Sequence, residues 1–399
     1  MRNLSLATVF AAVSGFVVLW VAQWALDADT DYRYFAAYWG LFFASAGLLD
    51  GLTHETTRAV SASGKAGTSN PWRFAGGIAA AVAGAALLGG VVFMGRVVPS
   101  SRAEATALLA VGLASYVFQA ALSGVLNGAH LWDRYAGLVA LDSGVRLVLA
   151  LVAWWAGWGL PAFLFITVVG AASWVLFLGR DLRATVDVDK RAFARRVGSA
   201  MVASGASAAL ITGFPTAANA AFPQSEGAAV SAMINAVLLT RAPVLVPLQR
   251  FQSALVVRFV EQRERVCAAL VAPIATVIGV GAVGYAAAWL IGPWILRLAF
   301  KPELFVPGPT LGALTFASAF MGALMVTGVA VLAQEGHGWY VAGWLTASAV
   351  TFALMFTLPL GVVPTVLIAL FVGPLAGCAV HAVGLSRTSR TSRNTARAV

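Results

Sequence analysis

Residues 6–26 read LATVFAAVSGFVVLWVAQWAL, a run with no charged side chain. Roughly 20 apolar residues carry a helix across a bilayer, so this run is long enough to span one. Working outward, eleven further stretches have the same character, at about 33–52, 74–95, 105–127, 136–156, 160–179, 199–221, 227–248, 267–291, 309–333, 339–358 and 364–385. Backbone in lipid must satisfy its own hydrogen bonds, so apolar runs of this length are expected to be helices. The alternating pattern of a transmembrane barrel strand is absent. With 60% hydrophobic residues, 11% charged residues and a mean hydropathy of +0.84, the twelve spans leave no room for a soluble domain. The sequence predicts an all-α polytopic membrane protein.

Basic residues set the expected sidedness. Of the 26 Lys and Arg residues, 19 fall on the segments that face inward if the N-terminus is inside, and five on the outer ones. Both termini are therefore expected in the cytoplasm, and the first span is expected to stay uncleaved. The formal charge of +10 is a topology signal. Nucleic-acid binding would need a basic face on a soluble domain, so no nucleic-acid partner is expected.

The longest internal polar stretch is GRDLRATVDVDKRAFARRVG, residues 179–198. It divides the chain into an N-terminal six-helix bundle (1–180), a basic linker (181–198), a C-terminal six-helix bundle (199–385) and a basic tail (386–399). A shift of about 195–205 residues superposes the span order of the two halves. Residues 107–137, ALLAVGLASYVFQAALSGVLNGAHLWDRYAG, also resemble residues 310–343, TLGALTFASAFMGALMVTGVAVLAQEGHGWYVAG. Repeated halves are the common construction of secondary transporters. The 40 glycines fit helices that associate through small side chains.

Charge at membrane depth is costly, about 2.5–3.5 kcal/mol per residue on insertion scales, so each such residue is a candidate for function. In LVALDSGVRLVLAL (138–151), Asp142 and Arg146 stand four apart on one helical face. They form either a buried structural pair or a cavity arginine, held by Asp142, that meets a phosphate through its planar fork. Arg241, in NAVLLTRAPVLVPLQRF (235–251), either snorkels to the inner surface or lines a cavity mouth. Pro243 and Pro247 are expected to bend its helix or free backbone carbonyls. In LLDGLTHETTRAV (48–60), Asp50, His54, Glu55 and Arg58 form either a solvated helix end or a proton-coupling cluster, with Arg58 a further phosphate candidate. Gln119, Asn127, Asn219 and Asn235 read as interhelical glue.

The first outer loop, LDADTDYRY (26–34), carries Asp27, Asp29 and Asp31. A carboxylate there could act as general base in a membrane glycosyltransferase that takes sugar from a polyprenyl-phosphate donor, though so short a loop reads more simply as a helix-ending turn. His54, His130, His337 and His381 lack metal-ligand spacing, and Cys267 and Cys378 read as packing residues. There is no phosphate loop of the GxxxxGK[ST] kind and no serine nucleophile elbow. No catalytic residue, metal or cofactor is expected.

These features, together with GVLNGAHLWDRYAG (124–137), DYRYFAAYWGLFFASAGLLDGLTHETTRAV (31–60) and FPQSEGAAVSAMINAVLL (222–239), resemble the polysaccharide-flippase branch of the multidrug/oligosaccharidyl-lipid/polysaccharide (MOP) exporter superfamily. The resemblance implies two six-helix bundles working by alternating access in a bacterial inner membrane. It implies a lipid-linked saccharide as cargo, with membrane lipids and a glycan polymerase or glycosyltransferase as partners, and cavity arginines, Arg146 and Arg241, that meet the phosphate. The first helix lacks the carboxylate expected for cation coupling in the drug-exporting branch. A drug or metabolite exporter of the same fold is the remaining alternative.

Overall fold

The computed structural model describes residues 2–61, 70–178, 190–222, 226–262 and 265–397. Among them every regular element is helical: α1 Arg2–Ala25, α2 Asp31–Ser61, α3 Pro71–Val97, α4 Arg102–Gly128, α5 Trp132–Trp155, α6 Leu160–Val169, α7 Lys190–Ile211, α8 Phe214–Ala221, α9 Gly227–Glu261, α10 Val266–Ala299, α11 Gly308–Ala333, α12 His337–Thr357 and α13 Val362–Arg397. A 3-10 segment, Gly170–Phe177, continues α6. Among the described residues eleven helices are long and apolar enough to cross a membrane, and α7 with α8, bent by 56°, would make a twelfth. The bend has a local cause. Pro215 has no N–H to offer Ile211, so the helix stops and restarts, with Gly213 and Thr212 both donating back to Ala208.

The chain forms two compact units, Met1–Ala220 and Ala221–Val399. In the first, α4 is the central helix, packed between α2, α3 and the α6 region, while α1 lies along α5 and α7 along α2. Glycines set these contacts. A Cβ at Gly124 would come 2.5 Å from Thr56, and one at Gly128 2.7 Å from Val60, so α4 meets α2 nearly backbone to side chain. On another face of α2, Gly40, Gly47 and Gly51 admit Thr212, Ala208 and the Ala200–Met201 backbone of α7. Lipid supplies no hydrophobic drive between helices, so such close approach is what holds them.

The second unit repeats this plan. Here α11 is central, packed against α9, α10 and α13, and α12 pairs with α13. The likeness seen between 107–137 and 310–343 reaches the backbone. Both α4 and α11 end on a non-glycine residue in the left-handed region, His130 at φ 59° and Glu335 at φ 62°. In each case the next residue donates to the carbonyl five positions back, Leu131 to Leu126 at 2.8 Å and Gly336 to Val331 at 3.0 Å. These are the closing bonds of a left-handed helix cap.

α9 stays helical through Pro243 and Pro247, and among the described residues the break over 40° between consecutive helices is the one before Pro215. The boundary between compact units lies at Ala220–Ala221. Most of the 181–198 linker lies outside the described residues, and Lys190–Ile211 packs with the first unit.

Candidate functional site

A connected set of polar side chains lies inside the first unit, between α2, α4, α5 and α6. Arg146, 3% exposed, donates from Nη1 to Asp142 Oδ2 at 2.5 Å and from Nε to the Thr167 carbonyl at 3.0 Å. Its guanidinium carbon stands 5.2 Å from the centre of the Phe43 ring and 5.9 Å from that of Phe42. The pair fits because residue 170 is glycine: a Cβ there would lie 2.5 Å from Arg146 Cζ and 2.6 Å from Asp142 Oδ1. Helix α6 passes into its 3-10 segment at this same glycine, where a change of helix type often marks strain or a hinge.

Hydrogen bonding at the pair is incomplete. Among the described residues, Arg146 Nη2 and Asp142 Oδ1 are buried without a hydrogen-bond partner. A guanidinium cannot shed its charge by losing a proton in a protein, and an unsatisfied buried donor costs about 1–3 kcal/mol. The pair is therefore a poor stabiliser taken alone.

Asp50 on α2 accepts a hydrogen bond from the Tyr116 hydroxyl at 2.8 Å. The Tyr116 ring meets Phe42 edge-on at 6.2 Å, and Phe42 is one of the two rings over which the Arg146 guanidinium stands. Asp50 thus belongs with the Asp142–Arg146 cluster. Glu55 and Arg58 pair with one another instead, with two hydrogen bonds of 2.9 and 2.6 Å. His54 faces α7, its Nδ1 3.5 Å from Ser204 Oγ. The contiguous motif 48–60 therefore separates into three environments.

In the second unit Arg241 is 6% exposed. It lines a narrow pocket with Val237 of α9, Leu314, Ala317, Ser318 and Met321 of α11, and Leu370 of α13.

Tyr116, Ser115 and the burial of Arg33 escaped the sequence reading. Tyr116 belongs to a polar stripe on α4, with Ser115, Gln119, Ser123 and Asn127 at steps of four, visible as a period once α4 is known to be central. Ser115 donates to the Ala171 carbonyl at 2.8 Å and accepts from Trp174 Nε1 at 2.9 Å. Arg33, expected at the outer surface, is wholly buried. It donates to the Asn219 side-chain oxygen and, at 2.8 Å, to the Asn219 carbonyl. Asn219 in turn donates to the Arg96 and Val97 carbonyls at 2.8 and 3.1 Å, tying α8 to the ends of α2 and α3. Asp27 is committed to its own turn: Oδ1 accepts from the Asp29 and Thr30 amides, each at 3.0 Å, and from the Thr30 hydroxyl at 2.9 Å. That is helix-capping chemistry. Among the described residues no group of three His, Cys, Asp or Glu side chains could hold a metal.

No protein-family model matches the sequence. The fold resembles an inward-facing multidrug resistance MATE family transporter of the MOP superfamily (TM-score 0.74, 15% identity, 96% of each chain). It also resembles the lipid II flippase MurJ in an inward closed conformation (TM-score 0.69, 14% identity, 98% of this chain and 91% of that one). A MOP superfamily transporter from Pyrococcus furiosus, described as having a binding pocket of reversed polarity, matches at TM-score 0.62, 16% identity and coverage of 97% and 94%. In sequence, the uncharacterized protein Rv3630 of Mycobacterium tuberculosis is 36% identical over 398 residues, covering 96% of this chain and 91% of its own length. The uncharacterized protein Rv1510 of the same organism is 36% identical over 392 residues, with coverage of 96% and 90%. The chain belongs to one family with these mycobacterial proteins, and its fold is that of the MOP exporter superfamily.

Proposed function

We propose that this chain is a MOP-type transporter that moves a polyprenyl-(pyro)phosphate-linked saccharide, or a related glycolipid, from the inner to the outer leaflet of a bacterial inner membrane. It would act by alternating access, with both termini cytoplasmic, and supply cell-surface polysaccharide synthesis. The observation that carries this reading is Arg146. A permanently charged side chain sits deep in a membrane helix with Nη2 still unspent, which is an expensive arrangement to keep without a use. A guanidinium edge with free donors suits phosphate oxygens. Arg241 is a buried cation of the second unit. The fold likeness to a lipid II flippase over nearly the whole chain supports a cargo of this class.

Reconstitution tests it. In proteoliposomes, labelled polyprenyl-linked sugar should become accessible from the opposite side, and Arg146→Ala should impair this more than Arg258→Ala. Wild-type protein that leaves the sugar sequestered under every ion gradient tried refutes the proposal. Altered drug sensitivity with unchanged surface glycan on gene deletion would move the assignment to a drug exporter of the same fold.

A further inference from the structure

His381 is wholly buried in the second unit, caged by three helices. Its Nε2 lies 3.2 Å from the carbonyl oxygen of Tyr340 on α12, and its Nδ1 lies 2.9 Å from the hydroxyl of Thr327 on α11. The ring stacks on Tyr340, with centroids 6.3 Å apart and planes 9° from parallel. The neighbouring helices are cleared for it. A Cβ at Gly343 would run into the Nε2 edge of the ring, and one at Gly328 would reach 3.3 Å from Cε1.

The hydrogen atoms in this cage can be counted. A carbonyl only accepts, so Nε2 must carry a hydrogen, and in the neutral ring Nδ1 must then accept from the Thr327 hydroxyl. Yet Thr327 Oγ1 is also 3.0 Å from the Leu324 carbonyl, a second acceptor. One hydroxyl hydrogen cannot serve both. When it turns to Leu324, its lone pairs face Nδ1, and the contact becomes a hydrogen bond only if Nδ1 is protonated. The cage therefore supports two complete hydrogen-bond schemes that differ by one proton and one hydroxyl rotation.

The groups around it set the electrostatics. α11 carries no charged residue, α12 only His337, and α13 no charge before Arg387 apart from His381 itself. Arg387 lies over Trp339, 5.4 Å from the ring centre. Glu335 stands in the α11–α12 turn, and Cys378 Sγ is 3.8 Å from Thr327 Oγ1. Arg241 of α9 shares its pocket with Leu370, about 16 Å along α13 from His381. Among the described residues the ring nitrogens meet only the Thr327 hydroxyl and the Tyr340 carbonyl, so oxygen dipoles and the Tyr340 face would hold an imidazolium. The α11–α12 end of the unit is close, about 9 Å from Thr327 and about 5 Å from Tyr340 along their helices, which gives a proton a short route.

We propose that His381 is a proton-binding site of the second unit, loaded at Nδ1 as Thr327 turns its hydroxyl to the Leu324 carbonyl. The inference holds whatever the cargo, since it uses only the contacts of α11, α12 and α13.

The test uses the full chain carrying His54→Gln, His130→Asn and His337→Gln, which leaves His381 as the only histidine. With 15N-labelled histidine in liposomes, solid-state NMR should show one unprotonated ring nitrogen at high pH and two protonated nitrogens at low pH, between pH 8 and pH 4. Thr327→Val removes the acceptor of the charged form. A charge-assisted bond is roughly twice as strong as a neutral one, so proton affinity should fall about tenfold, a one-unit shift of the midpoint, and Thr327→Ser should restore it. A ring that keeps one bare nitrogen throughout this range in the folded protein overturns the proposal. A titration unmoved by Thr327→Val overturns the role given to the hydroxyl.

Discussion

Removing one member of the Asp142–Arg146 pair should harm the protein more than removing both. Asp142→Leu leaves a guanidinium buried against Phe42, Phe43 and the Thr167 carbonyl with its counter-charge gone, a change that costs about 3–5 kcal/mol at buried pairs. Arg146→Met should cost less, because a lone buried carboxylate can take up a proton and become neutral, whereas a guanidinium cannot. The double variant removes both charges and their unspent hydrogen-bonding atoms. Apolar replacement of a buried pair is often neutral or stabilising, so it should lie within about 1 kcal/mol of wild type. In a soluble domain of about 200 residues each kcal/mol moves the unfolding midpoint by about 2–4 °C. On that scale Asp142→Leu should melt on the order of 10 °C lower in nanodiscs, followed by thiol-reactive dye or tryptophan emission, and the double variant should recover most of the loss. A double variant as unstable as Asp142→Leu refutes the electrostatic reasoning. The same proteins then report on function. If Arg146 meets a substrate phosphate, the double variant is stable and fails to transport, and a double variant that transports normally shows that the pair is structural.

Other substitutions probe the frame. Asn219→Ala removes an acceptor from buried Arg33 and the donor to the Arg96 and Val97 carbonyls; loss of a bond to a charged group, about 1.5–3 kcal/mol, should appear as a lower unfolding midpoint with α8 exchanging hydrogen faster than α7. His130→Gly and Glu335→Gly relieve left-handed backbone at φ 59° and 62° and should each stabilise by about 1 kcal/mol, read from the same thermal midpoint. Changing Asp27, Asp29 and Asp31 together to Asn keeps a side-chain acceptor at position 27, and Asn caps about as well as Asp, so the thermal midpoint and export should both stay near wild type; loss of sugar transfer to acceptor would favour the glycosyltransferase reading instead.

The number and nature of the spans were legible because lipid makes apolar length nearly sufficient evidence for a helix. The Asp142–Arg146 pair was legible as well, since a four-residue step fixes a shared face. What could not be read was long-range. Nothing local to Asp50 names Tyr116 as its partner 66 positions away, and the motif 48–60 looks like one polar helix end although its side chains face α4, α7 and each other. Arg33 looked like an outer-loop residue because it follows three aspartates, while its acceptor, Asn219, lies 186 positions downstream. Pro243 and Pro247 left α9 helical, whereas Pro215, preceded by Gly213, ended α7.

The placement of α7 bears on how the chain could move. In span order α7 corresponds to α1, which lies along α5, yet α7 packs along α2. The seam is made where α2 has glycine: any side chain at Gly51 would strike the Ala200–Met201 backbone, and a Cβ at Gly40 would stand 2.9 Å from the Thr212 carbonyl. Beyond the bend, α8 is fastened by Arg33, by Asn219 and by the Thr216 hydroxyl, which donates to the Ala37 carbonyl at 2.7 Å. Packing between small residues is short-ranged, because a gap of 0.5–1 Å already forfeits about a quarter to a half of the dispersion well. A change that slides α7 along α2 would therefore lose the seam over its whole length at once, whereas rotation about the Thr212–Gly213 bend could part α7 from α2 and leave α8 fastened. The two motions predict different pairs. Cysteines at His54 and Ser204, whose side chains meet across the seam, should lose cross-linking in both, and cysteines at Ala37 and Thr216 should lose it only if the whole α7–α8 segment moves.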